Sequence, residues 1–166
     1  CGALSEMYYA PVLKGLVGDG TLGVAALVDS VPARIEVLAG SFPGARRLSG
    51  IESLARGEID GAIVATPQKF HAAHAIALLQ LGVHVLCEKP MASSLAEARA
   101  MVDAADEARR LLAVGHFRRF FPSSQLVKEL IAGGALGKPV SFEWSEGGPF
   151  NWPAASPSFF RKETSP

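Results

Sequence analysis

Gly2 is followed by Ala3, Leu4 and Ser5 where the pattern opens a helix, and Asp29 closes the next apolar run. A glycine in a strand-to-helix turn lets backbone approach a phosphate closely. The first helical amides, here those of Ala3 and Leu4, then hold its charge together with the positive end of the helix dipole. An acid at the end of the second strand can accept hydrogen bonds from the hydroxyls of an adenosine ribose. Gly2, Ala3, Leu4 and Asp29 therefore form a candidate dinucleotide site, the end of a G-x-G-x-x-G/A/S turn whose first glycine lies before residue 1. The same residues also fit an ordinary tight turn and a solvated strand terminus.

Two further groups follow apolar runs: Ala65-Thr66-Pro67-Gln68-Lys69-Phe70-His71 and Cys87-Glu88-Lys89-Pro90. Both fall at carboxyl ends of buried strands, the edge at which open α/β sheets bind ligands. A lysine deprived of water gives up its proton more readily, so a residue such as Lys89 could accept or relay one. The plainer alternative for Glu88-Lys89 is a solvated ion pair. His74, His84 and His116 have no carboxylate or cysteine at ligand spacing, and no metal site is expected.

The elements that must position these groups can be read from the apolar pattern. Runs at 23–28, 61–65, 83–87 and 111–114 are apolar, His84 excepted, instead of alternating, as in strands buried on both faces of a parallel sheet. Segments 5–16, 32–39, 68–81 and 95–110 space their apolar residues three and four apart, as helices do. This alternation defines the fold class as α/β with a doubly wound parallel sheet, the architecture of dinucleotide-binding Rossmann domains among others. Local signals agree: Ser94 and Glu97 form a capping box, Pro32 suits a first helical turn, and Gly82 can end a helix in the left-handed conformation. After Gly115 the pattern changes, with a helix expected over 124–132 and a strand over 139–144. The expected organisation is a dinucleotide-binding domain over 1–118, its first strand missing before residue 1, and the start of a second, α+β, substrate and oligomerisation domain over 119–166. The tail over 147–166 reads as a long irregular loop, a kind often functional.

Taken in order, Ala65-Thr66-Pro67 with His71, then Glu88-Lys89-Pro90, then Gly115 to Phe120, then Gly134-Ala135-Leu136-Gly137-Lys138-Pro139 resemble the glucose-fructose oxidoreductase / inositol dehydrogenase / rhizopine-catabolism (Gfo/Idh/MocA) family over nearly the whole chain. The resemblance implies an NAD(P)-dependent oxidoreductase. It would transfer hydride reversibly between a nicotinamide cofactor and the hydroxyl-bearing carbon of a sugar, inositol or related polyol. Lys89 becomes the candidate catalytic residue, because the hydroxyl proton must leave as hydride departs. Glu88 is implied to reach the nicotinamide ribose, and Pro90 to fix the turn through a cis Lys89-Pro90 bond. Thr66 and Pro67 would line the adenosine and pyrophosphate side. His71 stands among the cofactor-site residues but is read as bonding backbone.

Arg119 could orient cofactor or substrate oxygens, or equally form a salt bridge at the domain boundary. Trp152 and Arg161, with Phe159 and Phe160, could line a sugar pocket or pack in a core. Asp29 would repel a ribose 2'-phosphate and so favours NAD, although Ser30 and Arg34 could accommodate NADP. Members of the family normally continue into Gly-Gly-Gly, an Asp and a His that shares proton transfer. None of these follows here, and the chain opens with Cys1-Gly2 and stops at Pro166 without a closing element. A fragment inactive alone is expected, from a protein that is a homo-oligomer at full length.

Composition narrows the partners. Lys+Arg and Asp+Glu both number 16, with no basic run, so the electrostatic footprint of a nucleic-acid or anionic-membrane binder is missing. No apolar stretch approaches the roughly 18 residues of a membrane-spanning helix, and residues 1–20 lack the start of a signal peptide. A small-molecule partner and a cytoplasmic location are expected. Cys1 and Cys87 make no disulfide framework. Two other interpretations stay open: a non-catalytic nucleotide- or sugar-sensing Rossmann module, and a different Rossmann enzyme such as a methyltransferase, which leaves Glu88-Lys89-Pro90 unexplained.

Overall fold

The computed structural model describes residues 1–145 and 147. They divide into two compact units, Cys1–Gly115 and one that begins at His116. The first unit holds five parallel strands: β1 (Ala26–Val28), β2 (Arg46–Leu48), β3 (Gly61–Val64), β4 (His84–Cys87) and β5 (Leu112–Val114). Its helices are α1 (Ala10–Gly18), α2 (Pro32–Ala39), α3 (His71–Gln80) and α4 (Leu95–Ala108). This is the α/β alternation read from the sequence.

The sheet comes in two pieces, β1 paired with β2 and a set in the order β3-β4-β5; among the described residues no strand joins β1 to β3. Two core clusters form, and Leu48 of β2, with Ala26 and Val28 of β1, joins the one around β3 to β5. Ala10, Leu27, Ile35, Leu38, Ala39 and Phe42 pack around β1, while Val64, Leu78, Leu79, Val85, Cys87 and Met101 pack around β3 to β5. Full burial of a side chain such as Leu79 or Met101 contributes about 1.5–3 kcal/mol, and both have no exposed surface. The register matters most for function: Val64 lies opposite Cys87, and Cys87 opposite Val114. The residues that follow each strand, including Thr66, Glu88 and Gly115, therefore emerge along one edge.

Helix boundaries follow from local chemistry. The Ser94 hydroxyl accepts from the Glu97 amide at 3.2 Å, and the Glu97 carboxylate accepts from the Ser93 amide at 2.9 Å, which closes the box that starts α4. Gly82, at φ +84°, follows α3 in the left-handed conformation that glycine adopts freely. Arg109 ends α4 at φ 52° without that freedom.

Several elements differ from the sequence expectation. The segment expected as one helix over 5–16 begins as a wide π-turn, Ser5–Tyr9, before α1. Pro11 explains the widening, since it lacks the amide to bond the Met7 carbonyl and its ring would crowd that oxygen. β2 was not expected: Arg46 and Arg47 break any apolar run, yet an edge strand tolerates outward charge, and only Leu48 of the three is buried. β1 is shorter than 23–28 because it pairs only along the three residues of β2.

In the second unit a turn, Phe117–Phe120, leads into α5 (Pro122–Ala132), which starts two residues earlier than expected because proline suits a first turn. The strand expected over 139–144 does not form: Val140 is 94% exposed, and no described segment pairs with it. Among the described residues no helix is long and apolar enough to cross a membrane.

Candidate functional site

At the carboxyl edge of β4, the Glu88 side chain is held from several directions. Its Oε1 accepts a hydrogen bond from the Tyr9 hydroxyl at 2.7 Å, and its Oε2 accepts one from the Lys89 amide at 3.0 Å. The Glu88 amide itself donates to the Val64 carbonyl at 2.9 Å. Gly115, just past β5, completes the setting: a Cβ there would stand 2.9 Å from Glu88 Oε1, so any side chain would push the carboxylate aside. Burial, and then the hydrogen bond to Glu88, raise the Tyr9 phenol above its ordinary range. Burial, with the Glu88 charge second, pushes the Cys87 thiol up to about 11.

Lys89 follows Glu88 and is joined to Pro90 by a cis bond. No ion pair joins the Lys89 ammonium to Glu88; the contact between the two residues is through backbone. The Lys89 side chain is exposed, which corrects the expectation of a dry setting around it among the described residues.

His71 ties two loops of the edge together. It is 2% exposed, with Nδ1 2.8 Å from the Pro90 carbonyl and Nε2 2.8 Å from the Thr66 carbonyl. Its ring is occupied by backbone and not presented to a ligand. The Thr66 hydroxyl pairs with His74 Nδ1 at 3.2 Å, and Thr66 and Pro67 stay partly exposed on the loop that His71 anchors. Burial, reinforced by repulsion from His71, lowers the His74 ring below its ordinary value.

Around Gly2 the first backbone bond runs from the Glu6 amide to the Gly2 carbonyl at 3.0 Å, and no side chain caps the helix start. The Ala3 and Leu4 amides are therefore free of intrahelical acceptors. A Cβ on Gly2 would meet nothing within 4 Å, so the space in front of this turn is open. Asp29 stands just past β1, and its Oδ1 accepts a hydrogen bond from the Val31 amide at 2.9 Å. Free helical amides, open space and an oriented acid suit a dinucleotide, with its anionic pyrophosphate and hydroxylated ribose.

Arg119 belongs to the second unit, exposed within the Phe117–Phe120 turn. Trp152 and Arg161, like Phe159 and Phe160, lie outside the described residues. Among the described residues no three His, Cys, Asp or Glu side chains gather as a metal site requires. Sequence reasoning passed over Tyr9 and the spatial role of Gly115, because both depend on contacts between distant segments.

A family model described as an oxidoreductase family with an NAD-binding Rossmann fold, GFO_IDH_MocA, matches residues 1–116. The chain belongs to this family. That membership agrees with the expected nicotinamide cofactor and removes the interpretation as another class of Rossmann enzyme. Rhizopine catabolism protein MocA of Rhizobium meliloti is 31% identical over 154 residues, covering 82% of this chain and 48% of that protein. An inositol 2-dehydrogenase of Mycolicibacterium smegmatis is 35% identical over 119 residues, covering 70% of this chain and 34% of the relative. Among solved structures, the WlbA dehydrogenase of Bordetella pertussis in complex with NADH and UDP-GlcNAcA superposes with a TM-score of 0.73 at 34% identity, over 83% of this chain and 39% of that one. The chain therefore matches less than half the length of each of these relatives.

Proposed function

We propose that the chain is the cofactor-binding part of an NAD(P)-dependent oxidoreductase that transfers hydride between nicotinamide and a hydroxyl-bearing carbon of a sugar, inositol or related polyol. The observation that carries this is the Glu88 carboxylate, fixed by the Tyr9 hydroxyl and the Lys89 amide and tied through Tyr9 to the segment that Gly2 opens. Relatives with names such as inositol 2-dehydrogenase, and a WlbA dehydrogenase holding a nucleotide sugar, support the substrate class.

When bound, the nicotinamide supplies or accepts the hydride. The protein does the rest. The Ala3 and Leu4 amides hold the pyrophosphate. Asp29 accepts hydrogen bonds from the adenosine ribose and disfavours a 2'-phosphate, which makes NAD the preferred cofactor. Thr66 and Pro67 line the adenosine and pyrophosphate side on the loop that His71 anchors. Glu88 accepts from the nicotinamide ribose hydroxyls, and Lys89 Nζ takes or relays the proton of the substrate hydroxyl as the carbon is oxidised. On the grounds of residue type alone, Arg119 and Arg161 are assigned to cofactor or substrate oxygens and Trp152 to the apolar face of a sugar ring.

The test is Lys89→Ala in the full-length protein, with NAD and a panel of sugars and polyols. NADH affinity should stay within about threefold of the parent while turnover falls by roughly two to four orders of magnitude. A loss of turnover below about threefold would move proton transfer to another residue. A parent protein that binds NADH and oxidises no member of the panel would instead favour a sensing module on the same scaffold.

A further inference from the structure

We propose that Tyr9 is a positioning residue for the nicotinamide half of the cofactor site, acting through the Glu88 carboxylate. This rests on the assignment of Glu88 to the nicotinamide ribose.

The Tyr9 hydroxyl reaches Glu88 across 79 positions of sequence and meets Oε1 at 2.7 Å. It does so from the last residue of the π-turn that follows Gly2. The same short segment thus offers free amides at its start and, near its end, a phenol directed at the carboxylate.

A carboxylate has about four lone-pair positions. Tyr9 uses one on Oε1 and the Lys89 amide uses one on Oε2, which leaves one on each oxygen for a pair of ribose hydroxyls. The terminal torsion of a glutamate is broad, so a single bond at Oε2 would leave the plane of the carboxylate free to turn. The phenol at Oε1 is what sets that plane. Gly115 keeps the space around both oxygens clear, since a Cβ there would come within 2.9 Å of Oε1 and 3.3 Å of Oε2. Half-buried and donating to an anion, the phenol stays protonated and acts only as a donor.

The test measures dissociation constants for NADH and for ADP, which lacks the nicotinamide ribose, in the full-length parent and in Tyr9→Phe, Glu88→Ala and the double variant. Loss of a hydrogen bond to a charged group predicts NADH binding weakened about tenfold in Tyr9→Phe, with ADP binding within about twofold of the parent. In the Glu88→Ala background, Tyr9→Phe should have no further effect, because nothing remains to be positioned. Equal weakening of NADH and ADP would show a general structural role and overturn the proposal. So would Tyr9→Phe with unchanged NADH affinity in a protein where Glu88→Ala weakens it. If Glu88→Ala itself leaves NADH affinity unchanged, the assignment of Glu88 falls and the role of Tyr9 falls with it, an outcome distinct from the other two.

Discussion

Replacing His71 with alanine should loosen the site edge by releasing the loops of Thr66 and Pro90. The ring is 2% exposed and lies 2.8 Å from both the Pro90 and the Thr66 carbonyl oxygens. One ring N–H can serve one of those carbonyls, so its removal leaves that carbonyl unpaired, at about 1–3 kcal/mol where water does not replace it, and opens a ring-sized void at the start of α3, at about 2 kcal/mol. A total of about 3–5 kcal/mol follows, a large share of the roughly 5–15 kcal/mol that holds a typical domain together. In urea, with slopes of about 1–3 kcal/mol per molar, the midpoint should fall by more than about 1 M. Circular dichroism of the α-helices against urea reads this directly. NADH affinity should fall as well, because Thr66-Pro67 and Lys89-Pro90 lose their common anchor. A destabilisation under about 1 kcal/mol would mean that the ring's two contacts are incidental, and would refute the clamp.

Other outcomes follow from individual groups. Asp29→Ala should improve NADPH binding relative to NADH by removing the charge that opposes a 2'-phosphate; an unchanged ratio of dissociation constants would reject Asp29 as the discriminating residue. The His74 ring is lowered chiefly by burial, so the unfolded chain takes up a proton that the native ring resists. Its contribution is intact above the ordinary histidine value of about 6.5 and is lost as pH falls through it. His74→Phe should therefore flatten the decline in stability between about pH 7 and pH 5, and an identical slope would contradict this. Cys87 has no exposed surface and a thiol pushed up to about 11, so mass mapping after alkylation near pH 8 should find it unmodified in native protein and modified in denaturant.

The parts of the site that lie within one strand and its following loop were legible in the sequence. Apolar runs before Thr66-Pro67 and Glu88-Lys89-Pro90 placed both at a sheet edge, and the register of β3, β4 and β5 brings them to the same edge. The Ser94–Glu97 box and the positive φ of Gly82 were equally visible, because each is decided by a few neighbouring residues. The contact of Tyr9 with Glu88 was not, since it joins residues 79 positions apart in the chain. Nor was the need for glycine at 115, which arises from the carboxylate of Glu88 just past the adjacent strand. His71 was read as bonding backbone, but the identity of its two carbonyls follows only from the loops meeting. β2 stayed hidden behind Arg46 and Arg47, while the apolar residues Val140, Phe142 and Trp144 imitated a strand that has no described neighbour to pair with. Strand formation is settled by partners as much as by pattern.

The most direct test of the central claim is a fluorescence titration of this chain with NADH and, separately, NADPH. The arrangement of Gly2, Asp29 and Glu88 predicts saturable NADH binding, with NADPH bound more weakly. Folded protein that fails to saturate with either cofactor would contradict the assignment of these residues to a nicotinamide dinucleotide.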